Sequence, residues 1–188
     1  MLVAKIGLMS SYFFNNNYPE AVSYAKIILD NKSITSKSQI DAEYVCGISY
    51  YKLDNYQDAI TSFNWLTKNT SSSITAESRY YLAEIYFKNN TPILAEKEIN
   101  LILKMKPSYN FWIGKSLILK TKIDINNGDY VQAEQGLKSV LDFYPKNLND
   151  GVLVEASELW DELMQLKNPS KVIIEEPDKK IDINQNNE

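Results

Sequence analysis

Apolar residues recur every three or four positions along most of the chain, which is the period of an amphipathic helix. Short polar segments interrupt this pattern at regular intervals, so it predicts a row of helices joined by short loops. The predicted helices are four pairs and a final single helix: 2–16 with 19–31, 37–54 with 56–69, 73–89 with 92–106, 109–127 with 130–144, and 151–166. Pro107 and Pro145 are expected to end two of these helices, because proline cannot continue a helix interior.

An internal repeat underlies this pattern. Four segments each supply a turn, a helix start and a small residue where two helices must approach closely: Asn17–Ala21, Asn55–Ala59, Thr91–Ala95 and Asp129–Ala133. Their alanines follow one another at intervals of 38, 36 and 38 residues. Such self-similarity at a fixed period is the sequence signature of repeat architectures.

Other positions repeat in step with the alanines. Twelve residues before each alanine stand Met9, Gly47, Ala83 and Thr121, and nine before it stand Tyr12, Tyr50, Tyr86 and Asp124. Apolar residues fall four and seven positions after each alanine: Ala25 and Ile28, Phe63 and Leu66, Ile99 and Ile102, Leu137 and Val140. The fourth repeat departs from the pattern at Lys120, Thr121 and Asp124. Leu119 and Ile123 could take over these core positions if the helix rotated by about one residue.

The order of a small residue, a tyrosine, a Gly/Asn-Asp/Asn-Tyr-x-x-Ala turn, a Phe or Leu and a proline resembles the tetratricopeptide repeat, whose usual period is 34 residues. The stretch Phe111–Leu119, with Gly128–Ala133, further resembles the C-terminal repeats of large bacterial cell-envelope members of this family. The resemblance covers roughly 2–145. It implies an all-α, right-handed α-solenoid of four helix-turn-helix repeats plus a C-terminal capping helix.

We therefore expect one superhelical domain over 1–166 and a disordered polar tail over 167–188, whose one apolar run is Val172–Ile174. The capping helix 151–166 should cover the last pair with its apolar residues Val152, Val154, Leu159, Trp160, Leu163 and Met164. Its acidic residues Glu155, Glu158, Asp161 and Glu162 should face water, as a capping helix requires. The opening residues lack a polar cap and should expose apolar surface, so a longer natural chain and self-association through the first helix both stay open.

The candidate site is a set of aromatic residues that recur with the repeat: Tyr44 and Tyr80 at one position, and Phe13, Tyr51 and Phe87 at another. The family resemblance implies that these positions face a concave groove, where they would contact a partner peptide or helix. Lys52, Glu84 and Lys88, with Asp41 and Glu77, should border the same face. The competing interpretations are that the aromatic residues only pack between repeats and that the charges form a solvated helix face.

Composition argues against catalysis. The chain has no histidine, one cysteine and a net charge of −4. It therefore lacks the commonest general base and cannot form an internal disulfide or a cysteine-rich zinc site. It contains no phosphate-binding loop or nucleophile motif, and Cys46 is expected to be a small core residue. We expect no cofactor, no metal, no nucleic-acid partner because the chain is acidic, and no membrane insertion because no apolar stretch approaches about 20 residues.

Three functions remain open. The chain could be a non-catalytic scaffold that binds a protein or peptide of unknown identity in the groove. It could be a structural cap of a longer repeat protein whose binding site lies upstream, or an accessory domain of an enzyme encoded in a longer chain. The resemblance points to the periplasmic side of the bacterial cell envelope. The sequence itself does not identify a compartment, so a cytoplasmic location stays open.

Overall fold

The computed structural model describes residues 2–168, and within that range all regular secondary structure is helical. The helices are α1 Leu2–Phe14, α2 Tyr18–Leu29, α3 Ser36–Lys52, α4 Tyr56–Asn69, α5 Ser73–Lys88, α6 Pro92–Leu103, α7 Asn110–Asn126, α8 Tyr130–Phe143 and α9 Val152–Lys167. The predicted all-α class is confirmed. Nearly all predicted helix ends are within two residues of the observed ones, but α6 ends at Leu103, four residues before Pro107. The expected tail lies outside the described residues, except for Lys167, which belongs to α9, and Asn168.

The same turn joins the two helices of each of the four pairs. Its central residue lies five positions before the repeat alanine and has a positive φ in every pair: Asn16 58°, Asp54 55°, Asn90 56° and Gly128 80°. The next backbone N–H donates to the carbonyl five residues back, as in Asn55 to Tyr50 at 2.9 Å and Asp129 to Asp124 at 2.8 Å. This is the Schellman ending, for which Gly and Asn are suited because they tolerate a left-handed backbone.

Helices pack on their neighbours in the chain and on their second neighbours within one layer. Each helix contacts the next, and α1, α3, α5, α7 and α9 also contact one another in succession. Within the described residues, no two of the even-numbered helices approach each other in this way. The odd-numbered helices therefore form the closer-packed layer of the array.

In the second pair, a large residue on one helix faces a glycine on the other, and the remaining pairs have one larger and one smaller residue at the equivalent positions. A Cβ added to Gly47 would lie 2.7 Å from a ring carbon of Phe63, so only glycine fits there. The positions equivalent to Gly47 and Phe63 in the other pairs are Met9 with Ala25, Ala83 with Ile99, and Thr121 with Leu137. All eight residues are buried. In each pair, a larger side chain at one of these two positions is thus matched by a smaller one at the other, as close packing requires.

The fourth pair keeps the register of the others. Thr121 and Asp124 are buried at their repeat positions, and the turn at Gly128 has the common geometry. Asp124 is accommodated because Lys120 donates to its carboxylate at 2.8 Å. The rotation considered for α7 is therefore wrong. Leu119 and Ile123 are buried as well. The equivalent residues of α3 and α5 are also buried or partly buried, so this burial needs no change of register.

The last helix, α9, covers the open side of α7 and α8. Val152, Leu159 and Leu163 are buried against that pair, while Glu158, Asp161 and Glu162 face solvent as expected. Two expectations for α9 are wrong. Val154 is exposed, and Glu155 is drawn into contact with α7 by two lysines.

Candidate interaction surface

Side chains from α1, α3, α5, α7 and α9 form a continuous surface along the odd-numbered helices, which we call the odd-helix surface. It comprises Phe13, Tyr44, Tyr51, Glu77, Glu84, Lys88, Trp112, Lys115, Lys122 and Glu155, all at least partly exposed. Most of these residues are linked across the gap between two successive odd-numbered helices. The surface is therefore ordered by contacts between repeats.

Two parallel hydrogen bonds tie α3 to α5. The Tyr44 hydroxyl donates to Glu77 at 3.0 Å, and the Tyr51 hydroxyl donates to Glu84 at 2.8 Å. Each bond joins residues 33 positions apart in the sequence. Burial, together with the nearby Glu77 charge, raises the pKa of Tyr44 above its usual range, and burial raises the pKa of Glu77 despite the hydrogen bond. Both carboxylates are thus partnered within the protein.

Lys88 is held at the exposed end of this network. Its ammonium donates to the Tyr51 hydroxyl at 3.0 Å and to the Tyr56 hydroxyl at 3.4 Å. It also lies 4.6 Å and 5.4 Å from the centroids of the same two rings, within cation–π range. Burial lowers the pKa of Lys88, but the hydrogen bonds to the two tyrosines outweigh it, so the pKa is raised and the ammonium stays charged.

Aromatic rings, some of them beneath the surface, link the odd-numbered helices in two groups. One group joins Phe13 of α1 to Tyr44 of α3, with ring centroids 6.2 Å apart. The other runs from Tyr51 to Tyr81 at 4.7 Å and continues from Tyr80 to Trp112 of α7 at 5.4 Å. The two groups place large, rigid side chains across four successive odd-numbered helices.

A carboxylate links α7 to α9. Lys115 and Lys122 donate to the two oxygens of Glu155 at 2.5 Å and 2.8 Å. Partial burial of Glu155 opposes its ionisation, but the two lysine hydrogen bonds outweigh this and lower its pKa. Glu155 therefore holds the capping helix in register with the last pair.

The structure places the predicted site residues unevenly. Tyr44, Tyr51, Phe13, Phe87 and Glu84 are partly exposed, and Lys52 and Lys88 are exposed. Tyr80 is only 6% exposed and lies beneath Trp112 and Lys115, whose ammonium is 5.7 Å from the Tyr80 ring centroid. Tyr80 is thus a packing residue in this conformation. Glu77 and Glu84 are hydrogen-bonded to tyrosines, so they are not the freely solvated charges of the competing interpretation.

Sequence reasoning missed Tyr81, Trp112, Lys115, Lys122 and the role of Glu155. The repeat register contained a signal for two of them. Lys115 stands at the same repeat position as Glu77, and Lys122 at the same position as Glu84. A prediction that used every residue at these repeat positions, and not only the aromatic ones, would have included both lysines.

Among the described residues there is neither a reactive thiol nor a cluster suited to a metal ion. Cys46 is 2% exposed, and burial raises the pKa of its thiol to about 12, which keeps it protonated and unreactive. Among residues 2–168, no cluster of three or more acidic, cysteine or histidine side chains is arranged to hold a metal ion. None of the helices in the same range has the length and apolar content to cross a bilayer.

No family model, curated protein or solved structure matches the chain. The repeat is therefore recognised within the chain itself. Four turns with one backbone geometry, and burial that recurs at equivalent positions, carry the structural evidence for it.

Proposed function

We propose that the chain is a non-catalytic scaffold of the tetratricopeptide type. In this proposal the four helix pairs form a right-handed superhelix closed by α9, and a partner peptide or helix lies along the odd-helix surface. The packing supports this arrangement, because the odd-numbered helices contact one another and the even-numbered helices do not. An array with that asymmetry curves with its odd-numbered helices on the inner, concave side.

The observation that carries the proposal is the ordered row of partly exposed aromatic and charged side chains on the odd-helix surface. Tyr44, Tyr51 and Lys88 are already fixed by hydrogen bonds in the free protein. Ordering side chains on binding costs roughly 0.5–1.5 kcal/mol for each rotamer-rich group, so residues ordered in advance bind with a smaller penalty. Tyrosine and tryptophan also supply large contact areas with a polar tip, which suits them to interfaces.

A second candidate is favoured by a specific observation. Tyr80 is buried, and the hydroxyls of Tyr44 and Tyr51 donate to carboxylates of α5. These contacts stabilise the array whether or not a partner binds. In this alternative the chain is a structural end of a longer repeat protein, and binding is done by residues outside it.

Site-specific photocrosslinking separates the two candidates. A benzophenone amino acid is placed at exposed Lys52 on α3 or, as a control, at exposed Lys97 on α6. The protein is then irradiated in an extract, and any protein captured from position 52 but not from position 97 is purified for binding measurements. If the two positions capture the same proteins, the scaffold proposal loses its support.

The purified partner then tests the surface directly. Phe87 stands at the same repeat position as Phe13 and Tyr51 of the odd-helix surface. Phe87→Ala and Lys88→Ala should each weaken binding by roughly tenfold or more if they act as anchors, whereas Lys97→Ala should leave affinity unchanged. Isothermal titration calorimetry measures the affinities, and circular dichroism confirms that the variants fold. Unchanged affinity in both folded anchor variants would overturn the proposed groove.

A further inference from the structure

The first helix exposes an apolar surface that the later pairs do not. Val3 is 82% exposed, Leu8 42% and Phe14 80%. A Cβ added to Gly7 would meet no atom within 4 Å, so the space beside the helix is open. We call the side formed by Val3, Ala4, Gly7, Leu8, Ser11 and Phe14 the open face of α1.

Most of the open face occupies repeat positions that are buried in the other pairs. The equivalents of Ala4 are Ala42, Ser78 and Ser116, and those of Ser11 are Ser49, Ile85 and Ile123. All six are fully buried. The equivalents of Leu8 in α3 and α5, Cys46 and Leu82, are buried too. Because each of these helices packs against the pair that precedes it, the open face is one half of an interface that recurs along the array.

The two ends of the array differ in charge. No residue of the open face is charged, and Ile27 of α2 adds a further exposed apolar side chain near this end. At the other end, the outward side of α9 carries Glu158, Asp161 and Glu162. Burying those carboxylates against an apolar face would leave them without water or a partner, which is costly. Head-to-tail stacking is therefore unfavourable, whereas an uncharged face is compatible with a copy of itself.

We propose that the open face of α1 binds the open face of a second copy of the chain, forming a head-to-head dimer with twofold symmetry. A twofold contact uses the same surface on both subunits and closes on itself, so assembly stops at the dimer. Ala4, Gly7 and Ser11 allow the two α1 helices to approach closely, and Val3, Leu8 and Phe14 flank the contact. The inference does not depend on the proposed scaffold function.

Sedimentation velocity over a range of protein concentrations tests the dimer with the full chain. The unsubstituted protein should form a dimer, and Leu8→Glu should weaken the dimer by roughly tenfold or more, because it buries an unpaired carboxylate at the interface. Leu8 is exposed in the monomer, so this variant should fold, which circular dichroism checks. The matched control is Ile93→Glu on α6, an exposed apolar residue far along the chain, which should dimerise like the unsubstituted protein.

A disulfide test locates the contact. Gly7→Cys should form a covalent dimer on mild oxidation, since two residues whose Cα atoms approach within about 7 Å can be bridged. The natural thiol Cys46 is buried and should not compete. Thr61→Cys, on the exposed side of α4, is the control that should stay unlinked.

Three outcomes would overturn the dimer: a chain that is monomeric at every concentration, a Leu8→Glu variant that dimerises like the unsubstituted protein, or a dimer that Gly7→Cys does not link. The first outcome would leave the open face to a helix from another protein or from a longer chain. The other two would place a dimer contact on a different surface.

Discussion

At the scale of single residues, the fit of Gly47 against the Phe63 ring is a tight steric constraint between the two helices of the second pair. A Cβ at position 47 would come within 2.9 Å of two ring carbons, and the aromatic ring is itself fully buried. Relief of that clash needs a shift of a whole ring in a closely packed core, which is energetically costly.

We expect Gly47→Ala to destabilise the protein by about 1–2 kcal/mol. Overpacking costs roughly 1–3 kcal/mol, and the better helix propensity of alanine offsets up to about 1 kcal/mol of it. The same change in a Phe63→Leu background should cost less, because the smaller side chain vacates the space. Urea denaturation of the four proteins in this double-mutant cycle gives the coupling, and purely additive effects would show that the ring is not the obstacle.

The repeat alanines lie where two helices cross, and the expectation that Ala59 and Ala95 are buried is confirmed. We expect Ala59→Leu to lower the free energy of unfolding by roughly 1–3 kcal/mol, because three added heavy atoms have no space in this crossing. Thr61→Leu, two residues further along α4 on its exposed side, is the matched control and should change stability by less than about 0.5 kcal/mol. Equal effects of the two substitutions would contradict the assigned register.

What the sequence predicts at this scale depends on the kind of residue. Small residues at Gly47 and Ala59 were predicted well, because helix crossings demand them at a fixed spacing. The burial of Tyr80 and the hydrogen-bond partner of Glu77 were not predicted. Tyrosine occupies the same repeat position at Tyr44, where it is partly exposed, and at Tyr80, where it is buried. Which role it takes depends on the residue that the next repeat places above it, here Trp112.

At the scale of the helix, α9 is attached to the array both by apolar burial and by the bridge from Lys115 and Lys122 to Glu155. The apolar stripe of α9 was predictable from its period. The bridge was not, because it joins residues 40 and 33 positions apart, and only the packing angle of α9 brings them together.

The Glu155 bridge predicts a pH dependence. Because the folded pKa of Glu155 is lowered, its ionised form stabilises the folded state above the unfolded pKa of about 4.3, and this contribution is lost as pH falls through the folded value. Glu155→Gln should cost roughly 1 kcal/mol near neutral pH, as expected for two partly exposed ion pairs. The difference from the unsubstituted protein should shrink below about pH 4 in urea denaturation curves measured across pH. Glu158→Gln, at an exposed position on α9, is the control and should change stability by less than about 0.5 kcal/mol.

At the scale of the whole molecule, stability is shared between neighbouring pairs, because most helices contact only nearby helices in the sequence. Such arrays unfold with local free energies that differ along the chain. The described core follows this order: one cluster is built mainly from α1–α5, one spans α5–α7 and one spans α7–α9.

Loss of packing at the capping helix should therefore spread only part of the way along the chain. Leu163 is fully buried in the last cluster, and Leu163→Ala should cost about 2–5 kcal/mol locally. Amide hydrogen exchange should accelerate in α7, α8 and α9, while α3 and α4 keep their protection. Uniform acceleration across all helices would mean that the array unfolds as a single unit.

The number and order of the helices could be read from the sequence, because each depends on local spacing and on a turn that recurs four times. The curvature of the array and the choice of the odd-numbered helices as the closer layer depend on contacts between successive pairs. Those contacts involve residues about 33–40 positions apart, and their geometry does not follow from the spacing within one repeat.

The balance of large and small residues within each pair also bears on how such a gene can recombine. The turns inside the pairs have the same backbone shape, so a crossover at one of them would join the first helix of one pair to the second helix of another without distorting the chain. It would also set Phe63 against Ala83, or Ile99 against Gly47, producing a clash in one product and a void in the other. Viable breakpoints should therefore fall between pairs, where each first helix is inherited together with the second helix that fits it.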